Sequence, residues 1–414
     1  MTKRRVVVTG IGTINPIGHN VDETWNSIKE GKCGIAPIRL FDAGDMKVSL
    51  AGEVKDFDVT EYLDKKEAKK MDRFIQMGMI AANEAMKDSG LDMIDTHRFG
   101  VIVSSGIGGL GSIEKNYQMA MKRGFDRVSP FFIPMTISNL AAGHIAIEHH
   151  AQGLCTCPVT ACAGGTNAVG DAFRNIRDGY QDVMIAGGCE ASITPLGIGG
   201  FTSMKALSEA TDPHRASIPF DQERNGFVMG EGAGILILEE LEHALNRGAK
   251  IYGEMVGYGV SCDAHHITAP LPGGEGGAAA MQNALDDAGI DGDCIDYINA
   301  HGTSTHLNDL CETEAIKTVF KDHAYKLAVS STKGNTGHCL GAAGGIEAVL
   351  SVLALKHDFI PPTINYQVKD EECDLDIVPN KGRNTPIHYV MSNSLGFGGH
   401  NASIIFKEYV NGTK

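Results

Sequence analysis

The sequence predicts an α/β protein made of two similar halves, and three observations support that prediction. The chain of 414 residues is 43% hydrophobic and contains 51 glycines, as compact α/β proteins do. Apolar, β-branched runs that predict buried strands alternate with helical patterns along the chain. The same order of strand, Gly-rich or polar turn and helix then occurs a second time, which predicts two halves related by a pseudo-twofold axis.

The first half supplies strand predictions that each end in a Gly-rich or polar turn. In chain order they are "RFGVIVSSGIGG", "CTCPVTAC", "DVMIAGG" and "GAGILILEE". A helix over about residues 111–122 is predicted after the first strand. Another helix is predicted after the second strand, because Val169, Ala172, Phe173 and Ile176 fall at helical spacing.

The second half repeats this order. Its strand predictions are "CIDYINAHGTST", "KLAVSSTKGNTGH", "YVMSNSLGFGG" and "HNASIIFKE". The first leads into a helix over about residues 309–320. The second leads into a helix that places Ile346, Val349, Leu350 and Leu353 on one side.

No Pro-rich or low-complexity linker marks a boundary between the halves, so only the repeated order of elements places it. We predict an N-terminal half at 1–250 and a C-terminal half at 251–414. Under this symmetry Cys162 and His338 occupy related positions, each just before a helix.

Composition and charge disfavour several classes of function. A net charge of −15 opposes nucleic-acid binding. The apolar run near the start is only three valines long, too short for a secretory signal, and the long apolar helix near the C-terminus carries Glu347. We therefore expect a cytoplasmic protein without membrane or nucleic-acid partners, whose ten cysteines are free thiols.

Three cysteines, Cys155, Cys157 and Cys162, lie within "LCTCPVTACAGG". Their C-x-C-x4-C spacing is uncommon for zinc and supplies no fourth ligand, so a metal site or a redox pair is the weaker interpretation. Cys155 and Cys157 share one face of a predicted strand, which is typical of buried packing thiols. Cys162 precedes a helix, whose N-terminus stabilises a thiolate and lowers the thiol pKa. Cys162 is therefore the candidate nucleophile.

Two histidines follow strands in the second half, His301 in "NAHGTST" and His338 in "STKGNTGH". One such histidine is more often structural, but two among Gly, Ser and Thr favour a site. Each neutral imidazole can donate a hydrogen bond to an oxygen that gains negative charge, so the pair suits an enolate. Lys333 can pair with a carboxylate, and Glu347 is the nearest candidate. The Gly-rich turn "NSLGFGGHN" is either a simple tight turn or a source of backbone N–H groups.

Together, "VTACAGG", "NAHGTST", "STKGNTGH" and "NSLGFGGHN", with "RNGFVMGEGAG" between them, resemble the β-ketoacyl-acyl carrier protein synthases of the thiolase superfamily. The resemblance runs from "RRVVVTGIG" to "SIIFK" and is greatest to the type II, chain-elongating members of bacterial fatty acid synthesis. It implies a thiolase-like five-layered αβαβα fold, a homodimer, and a reaction that needs no metal or other cofactor.

The resemblance also implies a two-stage reaction with acyl carrier protein as the partner. Cys162 first accepts an acyl chain as a thioester. Malonyl carrier protein then loses CO2, His301 and His338 hold the enolate, and the enolate attacks the acyl group to give a longer β-ketoacyl chain. The backbone N–H groups of Cys162 and Phe397 would form the oxyanion hole. Lys333 belongs to the same catalytic set.

Substrate-binding residues are assigned by the same resemblance. Thr303 and Thr305 would hold the pantetheine arm, and Gly398 would approach the substrate through its backbone. Phe397 would also act as a gate that moves when the nucleophile is acylated. Ile107 matches the floor of the acyl pocket, with ordinary core packing as its alternative interpretation.

The basic cluster "KKEAKKMDR" at 65–73 is a local exception to the acidic composition. It is either a solvated helix face or a docking patch for an acidic partner. Acyl carrier protein is small and acidic, so the resemblance favours the docking patch. Lys65, Lys69, Arg127 and Lys205 are the predicted docking residues.

The sequence departs from the family pattern at His306, Gly334, Asn335 and His400, all expected near the site entrance, where they would affect substrate preference. A biosynthetic thiolase would need a second cysteine in "SLGFGGHN", an initiating synthase would have Asn in place of the second histidine, and an inactive partner subunit would lack the nucleophile. A polyketide-type ketosynthase shares every motif and is the remaining alternative.

Overall fold

The computed structural model describes residues 3–410. The strands are β1 (Val6–Ile14), β2 (Ala36–Pro37), β3 (Leu50–Ala51), β4 (Phe99–Ser104), β5 (Cys155–Thr156), β6 (Val183–Glu190), β7 (Gly232–Glu240), β8 (Gly253–Cys262), β9 (Tyr297–Asn299), β10 (Ala328–Ser330), β11 (Phe359–Ile360), β12 (Arg383–Asn384), β13 (Tyr389–Gly396) and β14 (His400–Lys407). The helices are α1 (Val21–Lys29), α2 (Lys65–Ala68), α3 (Arg73–Ser89), α4 (Leu110–Arg123), α5 (Phe132–Thr136), α6 (Leu140–Glu148), α7 (Gly164–Arg177), α8 (Pro195–Ser203), α9 (Pro213–Ala216), α10 (Leu241–Asn246), α11 (Glu275–Ala288), α12 (His306–Phe320), α13 (Lys333–Thr336) and α14 (Ala343–His357).

The long strands form two sets with the same internal order. The first set runs β1-β7-β6-β4-β5 and the second runs β8-β14-β13-β9-β10. In each set the first two pairings are antiparallel and the last two are parallel. The sets join where residues 6–8 of β1 pair with residues 253–255 of β8. The predicted pseudo-twofold repeat is therefore confirmed strand by strand.

Helices cover both faces of each set. α7 and α14 lie between the sets, where they pack against each other, and α14 contacts β6, β7 and β13. α3 and α6 cover the outer face of the first set, while α11 and α12 cover the second. The layers therefore follow the order α, β, α, β, α, which confirms the thiolase-like architecture.

The two central helices begin side by side because small residues let their backbones touch. A Cβ atom on Gly165 would lie 2.9 Å from the Gly341 carbonyl oxygen and 2.7 Å from the Gly345 amide nitrogen. A Cβ atom on Gly344 would lie 2.2 Å from Thr166 Oγ1. Only glycine permits these approaches. The positive N-terminal ends of two helices consequently converge on one region of the molecule.

The apolar surface of α14 extends around the whole helix rather than along the predicted side. Leu340–His357 is long and apolar enough to span a membrane by length and composition, but 89% of it is buried inside the protein. The central layer explains this, because a helix covered by a sheet on each side must be apolar on both sides.

Most predicted elements lie where the periodicity places them. One example is α4, which follows β4 as predicted. α12 begins at His306, earlier than the predicted position 309. The predicted boundary at position 250 falls between α10 and β8.

Two expectations about the cysteine segment are wrong. β5 is only two residues long, and Cys155 is exposed while Cys157 is half-buried, because β5 is the edge strand of its set. These thiols are therefore not core packing residues.

The second expectation concerned the symmetry between Cys162 and His338. Cys162 is the middle residue of the turn Ala161–Ala163 before α7, and its counterpart before α14 is Gly341, the middle residue of Leu340–Ala342. His338 lies upstream of that position.

Candidate active site

Cys162 sits in a strained turn at the start of a central helix. The preceding residue, Ala161, has φ 49°, in the left-handed region that disfavours residues other than glycine. Cys162 itself is 8% exposed. Strain of this kind persists only where the surrounding structure determines the conformation, and it is concentrated at functional sites.

The turn after β13 packs directly on the nucleophile turn. A Cβ atom on Gly396 would lie 2.9 Å from the Thr160 carbonyl oxygen and 3.1 Å from the Ala163 amide nitrogen, so this approach requires glycine. As a result, the backbone N–H groups of Phe397 and Cys162 both act on the Cys162 thiol. Two backbone N–H donors therefore lie beside the nucleophile, where they are available to the oxygen of a carbonyl group that the sulfur attacks.

His301 and His338 come from two different loops and meet at the nucleophile. His301 follows β9, and His338 follows α13; each is 2% exposed. A ring nitrogen of each histidine and the Cys162 sulfur lie within 4.8 Å of one another. Within residues 3–410, both ring nitrogens of His338 and Nδ1 of His301 have no hydrogen-bond partner. No other protein group within that range occupies these nitrogens, and both rings line the cavity described below.

Glu312 on α12 holds the His301 loop, and the sequence analysis missed it. Its carboxylate accepts hydrogen bonds from the backbone N–H groups of His301 and Gly302, each at 2.8 Å. Burial raises the pKa of Glu312 to about 7. The sequence pattern that could have identified Glu312 is an acidic residue among the core positions of a predicted helix, between Cys311 and Ala315, which are buried.

The motif "RNGFVMGEGAG" positions the second histidine. The His338 backbone N–H donates to the Val228 carbonyl at 2.7 Å, and the Gly230 N–H donates to the His338 carbonyl at 2.9 Å. The Phe227 ring meets the His338 ring edge to face, with centroids 5.3 Å apart. The main chain and one aromatic ring therefore fix His338 and leave its nitrogens free.

Lys333 lies behind the histidines, and its ammonium group pairs with the Glu347 carboxylate, the partner that the sequence analysis named. Both side chains are buried. Burial and the Lys333 charge lower the pKa of His301 and of His338 well below the usual range. Both imidazoles are therefore neutral at neutral pH, and each can still donate one hydrogen bond through its single N–H group.

The expected lowering of the thiol pKa does not hold in this structure. The pKa of the Cys162 thiol is raised to about 12, chiefly by burial and also by the Glu190 carboxylate. The Lys333 ammonium and the two backbone N–H groups lower it by less. The thiol is therefore protonated at rest and needs a base when it reacts, and a neutral histidine beside it can take the proton.

A cavity of about 750 Å³ opens onto the three side chains. Thr303 and Thr305 line it, and their hydroxyl oxygens are 2.9 Å apart. Phe397 lines it as well, next to Phe201, at a ring-centroid distance of 6.3 Å. Cys162, His301 and His338 also line the cavity, so a molecule that enters it meets the nucleophile and both histidines.

Two predicted substrate residues do not line this cavity. The Gly398 N–H donates to the Ile267 carbonyl at 2.7 Å, so it fastens two loops together instead of facing the cavity. Ile107 packs with Cys162 and Leu340 in an apolar cluster behind the nucleophile. Cys162 and Leu340 also line the cavity, so this cluster adjoins it.

The predicted docking residues are all exposed, and Lys205 lies on the cavity lining. Arg73 of the same basic cluster is tied to the buried Glu231 at 2.6 Å and is not available. Lys70 pairs with Glu67 at 2.7 Å. The free charges of the cluster are therefore fewer than the sequence suggests.

Of the four residues that depart from the family pattern, only His306 lies on the cavity lining. His306 is exposed and lines the cavity, as expected. Gly334 and Asn335 are instead buried, and the Asn335 amide donates to the Lys32 carbonyl at 2.9 Å. A Cβ atom at Gly334 would lie 2.8 Å from Ile364, so packing explains that glycine. His400 lies against Gly398 and outside the cavity lining.

The sulfur and two imidazoles are also a donor set that zinc can use. Among residues 3–410 they form the one such convergent group of His, Cys and acidic side chains. The buried Lys333 ammonium acts on both histidines and on the thiol. A positive neighbour favours an anionic intermediate at this point over a divalent cation.

Comparison with known proteins gives one consistent result. The models of the beta-ketoacyl synthase N-terminal and C-terminal domains match residues 3–244 and 252–367. The chain is 53% identical over 412 residues to 3-oxoacyl-[acyl-carrier-protein] synthase 2 of Synechocystis sp., covering 99% of both chains. It is 52% identical over 408 residues to the protein of that name in Staphylococcus aureus, covering 98% of this chain and 99% of the relative.

Solved structures of similar fold belong to ketosynthases as well. A ketosynthase in complex with a type II polyketide acyl-carrier protein and bound to the hexaketide has a TM-score of 0.92 at 36% identity, with 99% of this chain and 100% of that chain covered. A beta-ketoacyl synthase from Burkholderia phymatum has a TM-score of 0.91 at 33% identity, with 98% and 100% covered. With both domain models matched and the Cys162, His301 and His338 cluster at the centre of the fold, the chain belongs to the β-ketoacyl synthase family.

Proposed function

We propose that the protein is a 3-oxoacyl-acyl carrier protein synthase that elongates acyl chains in fatty acid biosynthesis. It joins an acyl group to the two-carbon unit of malonyl carrier protein by decarboxylative condensation. The observation that carries this proposal is the convergence of Cys162, His301 and His338 within 4.8 Å on the lining of a cavity. The relatives above 50% identity bear this activity in their names.

The first stage transfers the acyl group to Cys162. Its sulfur bonds to the thioester carbon while the bond from that carbon to the pantetheine sulfur breaks, and the thiol proton passes through a neutral histidine to the departing pantetheine thiolate. The N–H groups of Cys162 and Phe397 stabilise the oxygen that gains charge. Losing one such donor costs on the order of 3 kcal/mol of barrier.

The second stage uses the histidines as hydrogen-bond donors. The bond between the malonyl carboxylate and its α-carbon breaks, CO2 leaves, and the electron pair forms an enolate whose oxygen accepts from His301 and His338. The enolate carbon then bonds to the acyl carbon while the bond from that carbon to the Cys162 sulfur breaks. The sulfur leaves as a thiolate and takes one proton from solvent water, so each condensation consumes one proton. The Lys333–Glu347 pair keeps both imidazoles neutral through its nearby cation.

The partner is acyl carrier protein, loaded with an acyl or a malonyl group. Lys65, Lys69, Arg127 and Lys205 are exposed cations suited to its acidic surface. The pantetheine arm would reach the nucleophile past Thr303 and Thr305, Gly398 would support the loop beside it, and Ile107 would close the acyl pocket. Phe397 would move to admit the acyl chain.

The protein would act as a homodimer in the cytoplasm. β5 is an edge strand, and large apolar side chains that flank it in the chain, Leu154 and Val159, are exposed, as is Ile147 on the contacting helix α6. An unpaired edge beside an apolar surface is typical of a subunit interface. The ten cysteines, all free, fit a reducing compartment. We expect neither a membrane nor nucleic acid as a partner.

The test is to incubate the purified protein with malonyl carrier protein and a series of acyl carrier proteins. Mass spectrometry should find an acyl adduct on the Cys162 peptide and a β-ketoacyl product two carbons longer than the donor. Absence of either species would reject the proposal. A polyketide-type ketosynthase is the alternative, since the solved neighbour at 36% identity belongs to a type II polyketide system and the neighbour at 37% is named a ketosynthase/chain length factor. It would extend malonyl units repeatedly or stay inactive without a chain-length partner.

A further inference from the structure

We infer that Arg224 is a positioning residue that holds the pantetheine-binding loop, residues 303–306, in its working conformation. This inference rests on the proposed function, because it assigns the loop to pantetheine. Arg224 is 4% exposed, and its side chain does not line the cavity. It therefore acts through the loop and does not touch the substrate.

The loop has a conformation that it would not adopt alone. Ser304, between the two threonines, has φ 70°, which is unfavourable for a residue with a Cβ atom. This backbone turns Thr303 and Thr305 so that their hydroxyl oxygens are 2.9 Å apart on the cavity wall. If the loop relaxed, the two hydroxyl groups would separate and the arm would lose a paired contact.

Arg224 binds the carbonyl groups at the far end of this loop. Its Nη2 donates to the His306 carbonyl at 3.1 Å, and its Nε donates to the Thr305 carbonyl at 3.4 Å. The neighbouring chain completes the hold, since the Gly226 N–H donates to the Ser304 carbonyl at 3.1 Å and the Ile218 N–H to its hydroxyl at 2.9 Å.

Two buried carboxylates fix the guanidinium itself. Nη1 pairs with Asp370, and Nε lies 3.6 Å from Asp309 on α12. Nη1 also donates to the Asp221 carbonyl at 2.9 Å. A planar fork with five N–H donors can serve all of these acceptors together, whereas a lysine ammonium cannot.

The hydrogen bonds of Arg224 reach only one end of the segment that runs from His301 to His306. Glu312 holds the start of the same segment through His301 and Gly302, as described above. Arg224 holds the end, so the catalytic histidine and the pantetheine threonines are fixed by separate groups. Loosening the Arg224 end should therefore weaken the binding of the arm and leave the reacting groups in place.

The experiment compares two acyl donors with Arg224→Lys. One donor is an acyl-pantetheine, and the other is the S-phenyl ester of the same acyl group, which has no arm. We expect kcat/KM for acylation of Cys162 by acyl-pantetheine to fall at least about tenfold, mainly through KM, while the S-phenyl ester reacts within about twofold of the parent rate. An equal loss with both donors, or no loss with either, would overturn the inference.

Two further variants keep the test decisive. Asp370→Asn loosens the guanidinium without removing it, so it should show the same donor dependence to a smaller extent, and it decides the question if Arg224→Lys does not fold. Arg177→Lys is the matched control, because Arg177 also pairs with a carboxylate, Asp287, but lies at the end of α7 and outside the Arg224 network. It should show no donor dependence. The parent protein reports on the proposed function separately, since failure of its Cys162 to accept any acyl group would reject that proposal first.

Discussion

The imidazole rings of His301 and His338 meet edge to face, with centroids 5.2 Å apart and ring planes at 87°. Two rings in this arrangement can direct N–H groups from different directions at one acceptor. Because one histidine is held through Glu312 and the other through Val228 and Gly230, the pair is set by the backbone rather than by mutual hydrogen bonding.

Replacing the nucleophile should abolish the reaction and keep the fold. Cys162→Ala removes the sulfur that would carry the acyl group, so no adduct and no β-ketoacyl product should form. Circular dichroism should match the parent, since a small side chain is exchanged for a smaller one. Cys155→Ser is the control, and because Cys155 is exposed it should change neither activity nor melting temperature. Residual condensation by Cys162→Ala would contradict the assignment.

Gly396→Ala should damage the oxyanion hole. The new Cβ atom would lie 2.9 Å from the Thr160 carbonyl oxygen, so the turn must shift and carry the Phe397 N–H away from the thiol. We expect the acylation rate to fall by about two orders of magnitude, as for loss of one oxyanion donor. Gly200→Ala is the control, because a Cβ atom there meets nothing within 4 Å. Equal rates in the two variants would refute the role of the turn.

Removing the buried cation should shift thiol reactivity to higher pH. The Lys333 ammonium lowers the pKa of Cys162, so Lys333→Met should raise that pKa and move the pH dependence of iodoacetamide alkylation upward. Since Lys333→Met leaves Glu347 unpaired, the double variant Lys333→Met/Glu347→Gln separates loss of charge from a folding defect. A profile that moves downward in the folded double variant would disprove the electrostatic role.

Charge reversal at the docking patch should affect only carrier-bound substrates. Lys65→Glu combined with Lys69→Glu should raise KM for acyl carrier protein several-fold at low salt, and the difference should shrink as ionic strength rises. An acyl thioester without carrier protein should react at the parent rate. Lys356→Glu, at the end of α14, supplies a charge control. An unchanged KM in the double variant would reject the patch.

Much of the fold follows from local patterns. The order of apolar runs and Gly-rich turns predicted two similar halves, because strand and helix periodicity are properties of short segments. The same patterns identified Cys162, His301, His338 and Lys333 with its partner Glu347. Motif spacing is local information, and it was sufficient to select these residue types.

Other features depend on contacts between distant segments. The exposure of Cys155 follows from the edge position of β5 and from its length of two residues, neither of which appears in the alternation of "CTCP". The thiol pKa depends on burial, which in this structure exceeds the effect of the helix end. Glu312 is recognisable only when α12 lies against the His301 loop.

The sequence by itself determined the repeated α/β architecture, the candidate nucleophile and its two histidines, because periodicity and motif residues are written along the chain. Only the tertiary structure decided how those groups meet, which glycines allow the backbones to touch, and that Arg224 and Glu312 hold opposite ends of one loop. The physical reason is that burial, hydrogen-bond partners and electrostatic neighbours arise from segments far apart in sequence.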